Sequence, residues 1–185
     1  MRIGFISDTH GDPTAWEKAT AVLGDLDLIC HAGDVLYHGI FNPITDTYHP
    51  RRLAGLLNQS DIPRVHARGN CDSEVDQLAL DAHILSDFAF ASVEGIRILV
   101  THGHKYPRDE LLNMARKAGA HILHQGHVHV PEIEVIDGVV LFNAGSCAMP
   151  KQEGEAPTVG LYEDGRLMVL DIETGEKYSE SVLPC

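Results

Sequence analysis

The first third of the chain alternates short apolar runs with longer segments that mix apolar and polar residues. The apolar run Arg2–Ile6 predicts a strand, and Pro13–Leu23 predicts a helix because proline fits the first helical turn, where its missing N–H costs nothing. The pattern then predicts a strand over Asp27–Cys30, a helix over Arg51–Asn58 and a strand over Arg64–Ala67. Alternating strands and helices are typical of layered α/β folds.

The segment from Leu36 to Pro50 shows no periodicity and is rich in tyrosine, histidine, asparagine and proline. It therefore predicts a long loop, and loops of this length inside a compact domain are usually functional. His38 and Asn42 lie in it and are candidates for contact with a substrate.

The remainder of the chain predicts one further helix and a series of paired strands. Glu94-Gly95 and Asp137-Gly138 separate apolar runs and indicate hairpins. The predicted elements are strands over Phe88–Val93, Ile96–Thr101 and His121–His124, a helix over Arg108–Lys117, and hairpin strands over Glu132–Ile136, Val139–Asn143, Thr158–Tyr162 and Arg166–Asp171. Since no repeat or linker interrupts this order, we expect a single α/β domain over residues 1–185, with two packed sheets and helices outside.

The composition, 44% apolar and 22% charged, is that of an ordinary globular protein. No apolar run reaches the roughly 20 residues that cross a bilayer, and the N-terminus lacks the pattern of a secretory signal. We therefore expect a cytoplasmic protein with no membrane contact. The four cysteines form no CxxC pair, so reduced thiols are expected at Cys30, Cys71, Cys147 and Cys185.

A formal charge of -13 excludes the basic surface that binds nucleic acid nonspecifically. Long DNA or RNA is therefore not an expected partner, although local metal charge would still attract a small anion. The twelve histidines are an excess, and their positions must decide what they do.

Candidate ligands follow five separate apolar strands, directly after each strand ends. The carboxyl ends of strands are where ligand sites assemble in layered α/β folds, because the loops converge there on a rigid base. The residues are Asp8 and His10, Asp34, Asn70, His102, and finally His127 and His129.

The donor types indicate divalent metal ions. Asp8 and His10 are two residues apart, as are His127 and His129, and an extended backbone points such a pair to one side. Carboxylate, imidazole and amide donors without thiolate suit Mn²⁺, Fe²⁺, Zn²⁺ or Ni²⁺. Seven candidates exceed the needs of one ion and suit two ions sharing a carboxylate. Two such ions and two aspartates leave a charge of about +2 for an anionic substrate.

Each candidate also has a plainer interpretation. Asp8 and Asp34 would serve as turn or capping residues, and Asn70 as an Asx turn. His104 would replace His102 as a ligand if the loop were shifted, and Arg68 is either a phosphate contact or an exposed turn residue. Asn143–Ser146 is a candidate for the floor of the site. The other histidines are expected at the surface or in the core: His31, His38, His49, His66, His83, His121 and His124.

The ordered motifs resemble those of the calcineurin-like metallophosphoesterases, whose series is D-x-H, G-D, G-N-[HC], G-H and G-H-x-H. Here the series stands as Asp8-Thr9-His10, Gly33-Asp34, Gly69-Asn70-Cys71-Asp72, Thr101-His102-Gly103-His104 and Gly126-His127-Val128-His129. The resemblance covers essentially the whole chain and is closest to the small YfcE/MJ0936-like phosphodiesterases. A lone G-D or G-H is a weak signal, whereas the ordered set is highly specific.

This resemblance implies a four-layer αββα sandwich in which a metal-activated hydroxide attacks a small phosphodiester. One ion would be bound by Asp8, His10, Asp34 and His129, and the other by Asp34, Asn70, His102 and His127. Asp34 would bridge the two. The expected ions are Mn²⁺, with Ni²⁺, Zn²⁺, Fe²⁺ and Mg²⁺ as alternatives, and the family also suggests a homo-oligomer.

Cys71 is the one departure from the pattern of many members. Those proteins carry a histidine after the Gly-Asn pair, which is thought to protonate the leaving group. A thiol is a poorer acid partner, so we expect slow turnover and a preference for activated or diester substrates. The expected catalytic residues are Asp34, Asn70 and Cys71.

Two other functions stay open on the same scaffold. One is a phosphomonoesterase or nucleotide pyrophosphohydrolase, which the sequence does not separate from a diesterase. The other is a protein-interaction scaffold, as in a retromer subunit that resembles this fold with a degraded site. The complete ligand set favours an enzyme.

Overall fold

The computed structural model describes residues 1–152, 154 and 156–183, so the expected free thiol of Cys185 lies outside the described residues. Its helices are α1 (Pro13–Leu23), α2 (Pro50–Gln59), α3 (Glu74–Gln77) and α4 (Arg108–Lys117). Its strands are β1 (Arg2–Ile6), β2 (Leu28–His31), β3 (Arg64–His66), β4 (Phe88–Val93), β5 (Ile96–Thr101), β6 (Ile122–Gln125), β7 (Pro131–Ile136), β8 (Val139–Ala144), β9 (Thr158–Glu163), β10 (Arg166–Asp171) and β11 (Lys177–Val182). Within these ranges, no helix combines the length and apolar character that a membrane span requires.

The strands form two mixed sheets. The first sheet has the order β11-β10-β9-β1-β2-β3; β1, β2 and β3 are parallel to one another, whereas β9 is antiparallel to β1 and to β10. The second has the order β4-β5-β6-β8-β7, with β5, β6 and β8 parallel. Each sheet thus joins a parallel half to hairpin strands.

Three apolar clusters separate four layers. The cluster between the sheets contains Phe5 of β1 and Phe142 of β8, whose rings meet edge to face at 5.1 Å. The outer face of the first sheet packs on α1 and α2 through residues such as Trp16 and Leu53. The outer face of the second packs on α4 through Leu111. The predicted αββα sandwich, with two mixed sheets flanked by helices, is confirmed.

The N-terminal cap of helix α1 holds the end of the loop that follows β1. The Asp12 side chain accepts hydrogen bonds from the N–H groups of Thr14 at 2.8 Å and Ala15 at 3.0 Å, and Pro13 occupies the first turn. This cap anchors the end of the segment that carries Asp8 and the residues after it. The predicted bounds of α1 are confirmed.

Two elements were missing from the sequence prediction. Helix α3 has only four residues and none is buried, so it carries no apolar periodicity; a capping box between Ser73 and Asp76 stabilises it instead. Strand β11 is an edge strand with no buried residue, so the alternation that identifies a half-buried strand is absent. The other predicted elements are present, with ends shifted by a residue in several cases.

Three of the unassigned histidines are buried in the core. The rings of His31 and His66 stack at 5.1 Å, and His124 packs against Phe5. Burial lowers the pKa of His66 to about 3 and that of His124 to about 4, so both are neutral in the folded protein near pH 7. Neither ring nitrogen of His66 has a hydrogen-bond partner in the part of the chain that the structure describes.

We expect acid to destabilise the metal-free protein through these groups. The unfolded chain binds a proton at each histidine as the pH falls below about 6.5, whereas the folded chain does not until its lower pKa is reached. Each such group therefore costs the folded state about 1.4 kcal/mol per pH unit below that point. When the pH falls from 7.5 to 5.0, the free energy of unfolding should therefore drop by about 2 kcal/mol less in His66→Leu than in the wild type.

Urea unfolding in the presence of a chelator, at both pH values, measures the difference. His83→Leu, at an exposed histidine, is the control for losing an imidazole at the surface. An equal loss of stability in the wild type and His66→Leu would contradict the assignment of a neutral buried His66.

Candidate metal centre

The two sheets bring the carboxyl ends of five strands together. Strands β1, β2 and β3 of the first sheet lead into loops that carry four of the seven sequence-predicted ligands, and β5 and β6 of the second lead into the other three. The structure brings all seven to one end of the sandwich: Asp8, His10, Asp34, Asn70, His102, His127 and His129.

Glycines in the motifs allow these loops to approach closely. A Cβ on Gly69 would overlap the carboxylate and backbone nitrogen of Asp34, and a Cβ on Gly126 would overlap the Ser7 hydroxyl and lie 2.7 Å from Asp8 Oδ2. Glycine is therefore required before a ligand because another ligand loop occupies the space of its side chain.

The ligand loops also hold strained backbone. Left-handed φ angles occur at five of the seven candidates, a conformation that non-glycine residues seldom adopt. In the described ranges, the other non-glycine residues with positive φ lie in the hairpin turns, at Glu94, Asp137 and Asp164. Strain of this kind, outside tight turns, concentrates at functional sites. The five angles are 55° at Asp8, 42° at His10, 57° at Asp34, 71° at His127 and 59° at His129.

His10 and His129 point their Nε2 atoms at each other. The Nδ1 atoms lie 2.9 Å from the Tyr37 carbonyl and 2.6 Å from the Met149 carbonyl, and since a carbonyl has no proton to give, each Nδ1–H is the donor. In the neutral form of each ring the Nε2 atom then carries a lone pair, and the two Nε2 atoms are only 3.2 Å apart. Asp8 Oδ1 is 3.1 Å from the Nε2 of His129. Asp8, His10 and His129 therefore form a group of donors that could hold a metal ion.

His102 forms the centre of a second group. Its Nδ1 donates to the Ala32 carbonyl at 2.7 Å, so its Nε2 faces Asn70 Oδ1 at 3.1 Å and Asp34 Oδ2 at 3.4 Å. The ring of His127 lies 5.1 Å from the His102 ring and is exposed to solvent. These donors come from both sheets.

Asp34 stands between the two groups. Its Oδ2 is 3.8 Å from the Nε2 of His10 and 3.4 Å from the Nε2 of His102, while its Oδ1 accepts the N–H of Cys71 at 2.8 Å. One oxygen is thus fixed by the backbone and the other faces both sets of imidazoles.

The electrostatics of the buried groups fit divalent cations. Asp8 Oδ1 is buried and finds no hydrogen-bond donor among the residues described. Burial acts to lower the pKa of His102, but the carboxylates of Asp34 and Asp8 outweigh it and raise that pKa to about 9. A proton on His102 therefore offsets carboxylate charge in the absence of metal, and protons compete with metal for this site.

The structure distinguishes His102 from His104. His102 is buried beside Asp34, whereas the His104 ring is half-buried, 5.3 Å from the His102 ring and 6.0 Å from that of His127. Burial, followed by the charge of the neighbouring histidines, lowers the pKa of His104 to about 4. His104 therefore lies behind the donors rather than among them.

Cys71 lies at the edge of the donor set. One ligand atom each of His10, Asp34 and Cys71 lie within 4.8 Å of one another, and the Asn70 amide donates to the Cys71 sulfur at 3.3 Å. Burial, together with the charge of Asp34, raises the pKa of the thiol to about 12. Cys71 is therefore a protonated thiol near neutral pH in the metal-free chain.

Other sequence candidates have clear positions. Asn42 lines the cavity in front of the donors, whereas Arg68 donates its Nε–H to the Asp72 carbonyl at 3.2 Å. The segment Asn143–Ser146 supports the site from below. The Asn143 amide donates to the Gly126 carbonyl at 2.9 Å, and the Ser146 hydroxyl donates to the Asp8 carbonyl at 2.8 Å.

Asp72 is a site residue that sequence reasoning did not identify. Its buried carboxylate accepts three backbone N–H groups, from Asp34 at 2.9 Å, Val35 at 2.8 Å and Gly69 at 2.7 Å. Burial nevertheless raises its pKa to about 6. The Asp72 carboxylate thus ties the loop of Asp34 to the loop of Asn70. Two of its partners lie 37 and 38 residues away in sequence, so no local pattern predicts these contacts. The only signal in the sequence is that an aspartate directly follows Gly69-Asn70-Cys71.

Sequence comparison gives clear relatives. Residues 1–164 match the calcineurin-like phosphoesterase superfamily domain. Phosphodiesterase YfcE of Escherichia coli K12 is 32% identical over 172 residues, covering 92% of this chain and 91% of that protein. Phosphodiesterase MJ0936 of Methanocaldococcus jannaschii is 28% identical over 192 residues, and the alignment covers 99% of each chain. The predicted resemblance and the predicted class, a metallophosphoesterase, are confirmed at the level of the family.

Solved structures agree with the sequence matches. The YfcE phosphoesterase from E. coli has a TM-score of 0.87 and 28% identity to this chain, with 100% of both chains covered. Vacuolar Protein Sorting 29 of Cryptosporidium parvum has a TM-score of 0.68 and 16% identity, covering 98% of this chain and 97% of that one. At that identity the second similarity is one of fold alone.

We expect Asp72→Asn to loosen the metal centre without touching a donor atom. The amide nitrogen cannot accept a hydrogen bond, so at least one of the three buried N–H groups loses its partner, at a cost of about 1–3 kcal/mol. Thermal unfolding of the metal-free protein should show that loss, and calorimetric titration with Mn²⁺ should show weaker binding. Asp81→Asn, at an exposed aspartate, is the matched control. Unchanged stability and unchanged metal affinity in Asp72→Asn would contradict this role.

Proposed function

The chain belongs to the calcineurin-like phosphoesterase superfamily, and on that premise we propose that it hydrolyses small phosphodiesters with two divalent metal ions. The observation that carries this proposal is the pair of opposed Nε2 atoms of His10 and His129, 3.2 Å apart, beside the unpartnered Oδ1 of Asp8. Those atoms are arranged to bind cations and little else.

We assign the donors to two ions that share Asp34. One ion would be held by Asp8, His10, Asp34 and His129, and the other by Asp34, Asn70, His102 and His127; contacts within each set support this division. When bound, such ions supply Lewis-acid stabilisation of the phosphoryl oxygens and lower the pKa of water. Mn²⁺ is the metal we propose, because oxygen and nitrogen donors without thiolate suit it.

The residues of the chain have distinct tasks in this scheme. The Tyr37, Met149 and Ala32 carbonyls hold the imidazoles so that Nε2 faces the site. The Asn70 side chain is exposed and lines the cavity, where its amide N–H would hold a phosphoryl oxygen. Cys71 stands beside it as a weak proton donor for the leaving group.

The diester assignment rests on the size and charge of the site and on the relatives. A cavity of about 530 Å³ in front of the donors suits a small molecule. The net charge of -13 disfavours a long polyanion. YfcE and MJ0936 are both named phosphodiesterases. We place the whole activity in one domain over residues 1–185.

A phosphomonoesterase or nucleotide pyrophosphohydrolase is the second candidate, since the same donors would serve it. An interaction scaffold is less well supported. The likeness to Vacuolar Protein Sorting 29 concerns the fold, whereas this chain keeps every donor of the proposed site.

Metal-dependent turnover tests the proposal. The metal-stripped protein should hydrolyse no ester, and added Mn²⁺ should restore cleavage of bis(p-nitrophenyl) phosphate. Asp34→Ala removes the shared ligand, so kcat/KM should fall by a factor on the order of 10³ or more. Asp25→Ala, at an exposed aspartate, should keep full activity.

The proposal would be wrong if no metal among Mn²⁺, Ni²⁺, Zn²⁺ and Mg²⁺ restored hydrolysis of any aryl or nucleotide ester. Full activity in Asp34→Ala would leave an esterase but remove the shared-ligand arrangement. Faster cleavage of monoesters than of diesters would favour the second candidate.

The role of Cys71 is tested by varying the leaving group. The Cys71 thiol is a weak acid and protonates a departing alkoxide inefficiently. We therefore expect kcat/KM to fall steeply as the pKa of the leaving alcohol rises. Cys71→His should flatten that dependence and accelerate alkyl esters by about tenfold, with little change for p-nitrophenyl esters. Cys71→Ser is the control for loss of the thiol. An unchanged dependence in Cys71→His would show that no proton is delivered from this position.

A further inference from the structure

The loop between β2 and α2 presents two large apolar side chains to solvent beside the metal centre. Ile40 is 78% exposed and Phe41 is 98% exposed, and both line the cavity in front of the donors. We refer to these two residues as the apolar tip.

The local sequence is unusual for the backbone it forms. The N–H of Asn42 donates to the Gly39 carbonyl at 3.3 Å, which closes a turn with Ile40 and Phe41 at its central positions. Central turn positions usually hold proline, glycine, asparagine or aspartate. Apolar side chains placed there gain nothing from the fold, and exposed apolar groups at the rim of a cleft mark a binding surface.

Contacts between the loop and the metal centre hold the apolar tip at a fixed position relative to the donors. The Tyr37 carbonyl accepts the Nδ1–H of His10 at 2.9 Å, so the start of the loop is bound to a proposed ligand. A Cβ on Gly39 would lie 3.1 Å from the Cys71 sulfur, so the turn packs directly on the Gly69-Asn70-Cys71 motif. The Asn42 amide also donates to the His38 carbonyl at 2.8 Å. These contacts fix the distance between tip and metal centre.

The cavity lining also includes a cationic residue next to the donors. The N–H of Lys151 donates to the His129 carbonyl at 3.1 Å, which anchors this residue at the donor end. Lys151 is the only lysine or arginine among the described residues that line the cavity. The cavity lining therefore combines a cationic residue next to the donors with the apolar tip.

We propose that the apolar tip is a specificity subsite that binds a flat apolar group, such as an aryl ring or a nucleobase, on one alcohol of the phosphate ester. This inference rests on the proposed function, and it names the class of substrate: small esters in which one alcohol carries an aromatic group, rather than purely aliphatic esters. Phe41 supplies the stacking face and Ile40 the adjoining apolar surface.

The test separates ring recognition from catalysis by measuring binding. The Mn²⁺-loaded full chain is titrated calorimetrically with phenylphosphonate and with methylphosphonate, which share the anionic head and differ in the apolar group. The wild type should bind the phenyl compound about tenfold more tightly, as expected for partial burial of a ring. Phe41→Ser should lose that preference while binding methylphosphonate and Mn²⁺ as before.

Leu78→Ser is the matched control, because Leu78 is 88% exposed but does not line the cavity. It should keep the wild-type preference. Hydrolysis of bis(p-nitrophenyl) phosphate, followed alongside, should show a lower kcat/KM in Phe41→Ser and no change in Leu78→Ser.

Each contrary result has a distinct meaning. Equal affinity for the two phosphonates in the wild type, or an unchanged preference in Phe41→Ser, would overturn the subsite. So would a shift in oligomeric state of Phe41→Ser without loss of preference, because the tip would then be a contact between copies. A preserved phenyl preference without hydrolysis of any ester would support the subsite while refuting the proposed function.

Discussion

Hydrogen bonds from histidine Nδ1–H groups to backbone carbonyls are the interactions on which the metal centre depends. His10, His102 and His129 each make one, at 2.9, 2.7 and 2.6 Å, and each is thereby oriented with its Nε2 facing the site. Because imidazole nitrogens and carboxylates then converge, the site holds repulsion that a metal ion or, in its absence, a proton on His102 offsets. The left-handed backbone at Asp8 and Asp34 is a further strain that the fold must hold at this site. The rest of the sandwich must be rigid enough to keep these groups in place.

That rigidity comes from the apolar core that packs the two sheets face to face. The core between them, with Phe5 against Phe142, fixes the separation of the strand ends, and the loops need little freedom to reach one another. Asp72 then ties adjacent loops together through three backbone N–H groups. Its carboxylate satisfies polar groups that the ligand geometry would otherwise leave buried and unpaired.

Much of this could be predicted from the sequence, for physical reasons. Pro13–Leu23 and the hairpin at Asp137-Gly138 follow from local signals, and all seven candidate ligands were identified because each follows an apolar strand in a fixed order of motifs. Strand β11 was missed because an edge strand with no buried residue carries no alternation. The role of Asp72 was missed because its partners are fixed by tertiary contact, and the place of Phe41 at the cavity rim depends on a turn that no local pattern announced.

The most direct test of the two-ion account is the state of bound Mn²⁺ in solution. Titration of the metal-free chain, followed by metal analysis and electron paramagnetic resonance, counts the ions and reports whether they are magnetically coupled. The account predicts two ions per chain with an exchange-coupled spectrum, and an uncoupled spectrum in a variant that lacks the Asp34 carboxylate. A single bound ion, or two ions that remain uncoupled in the wild type, would contradict a centre bridged by Asp34.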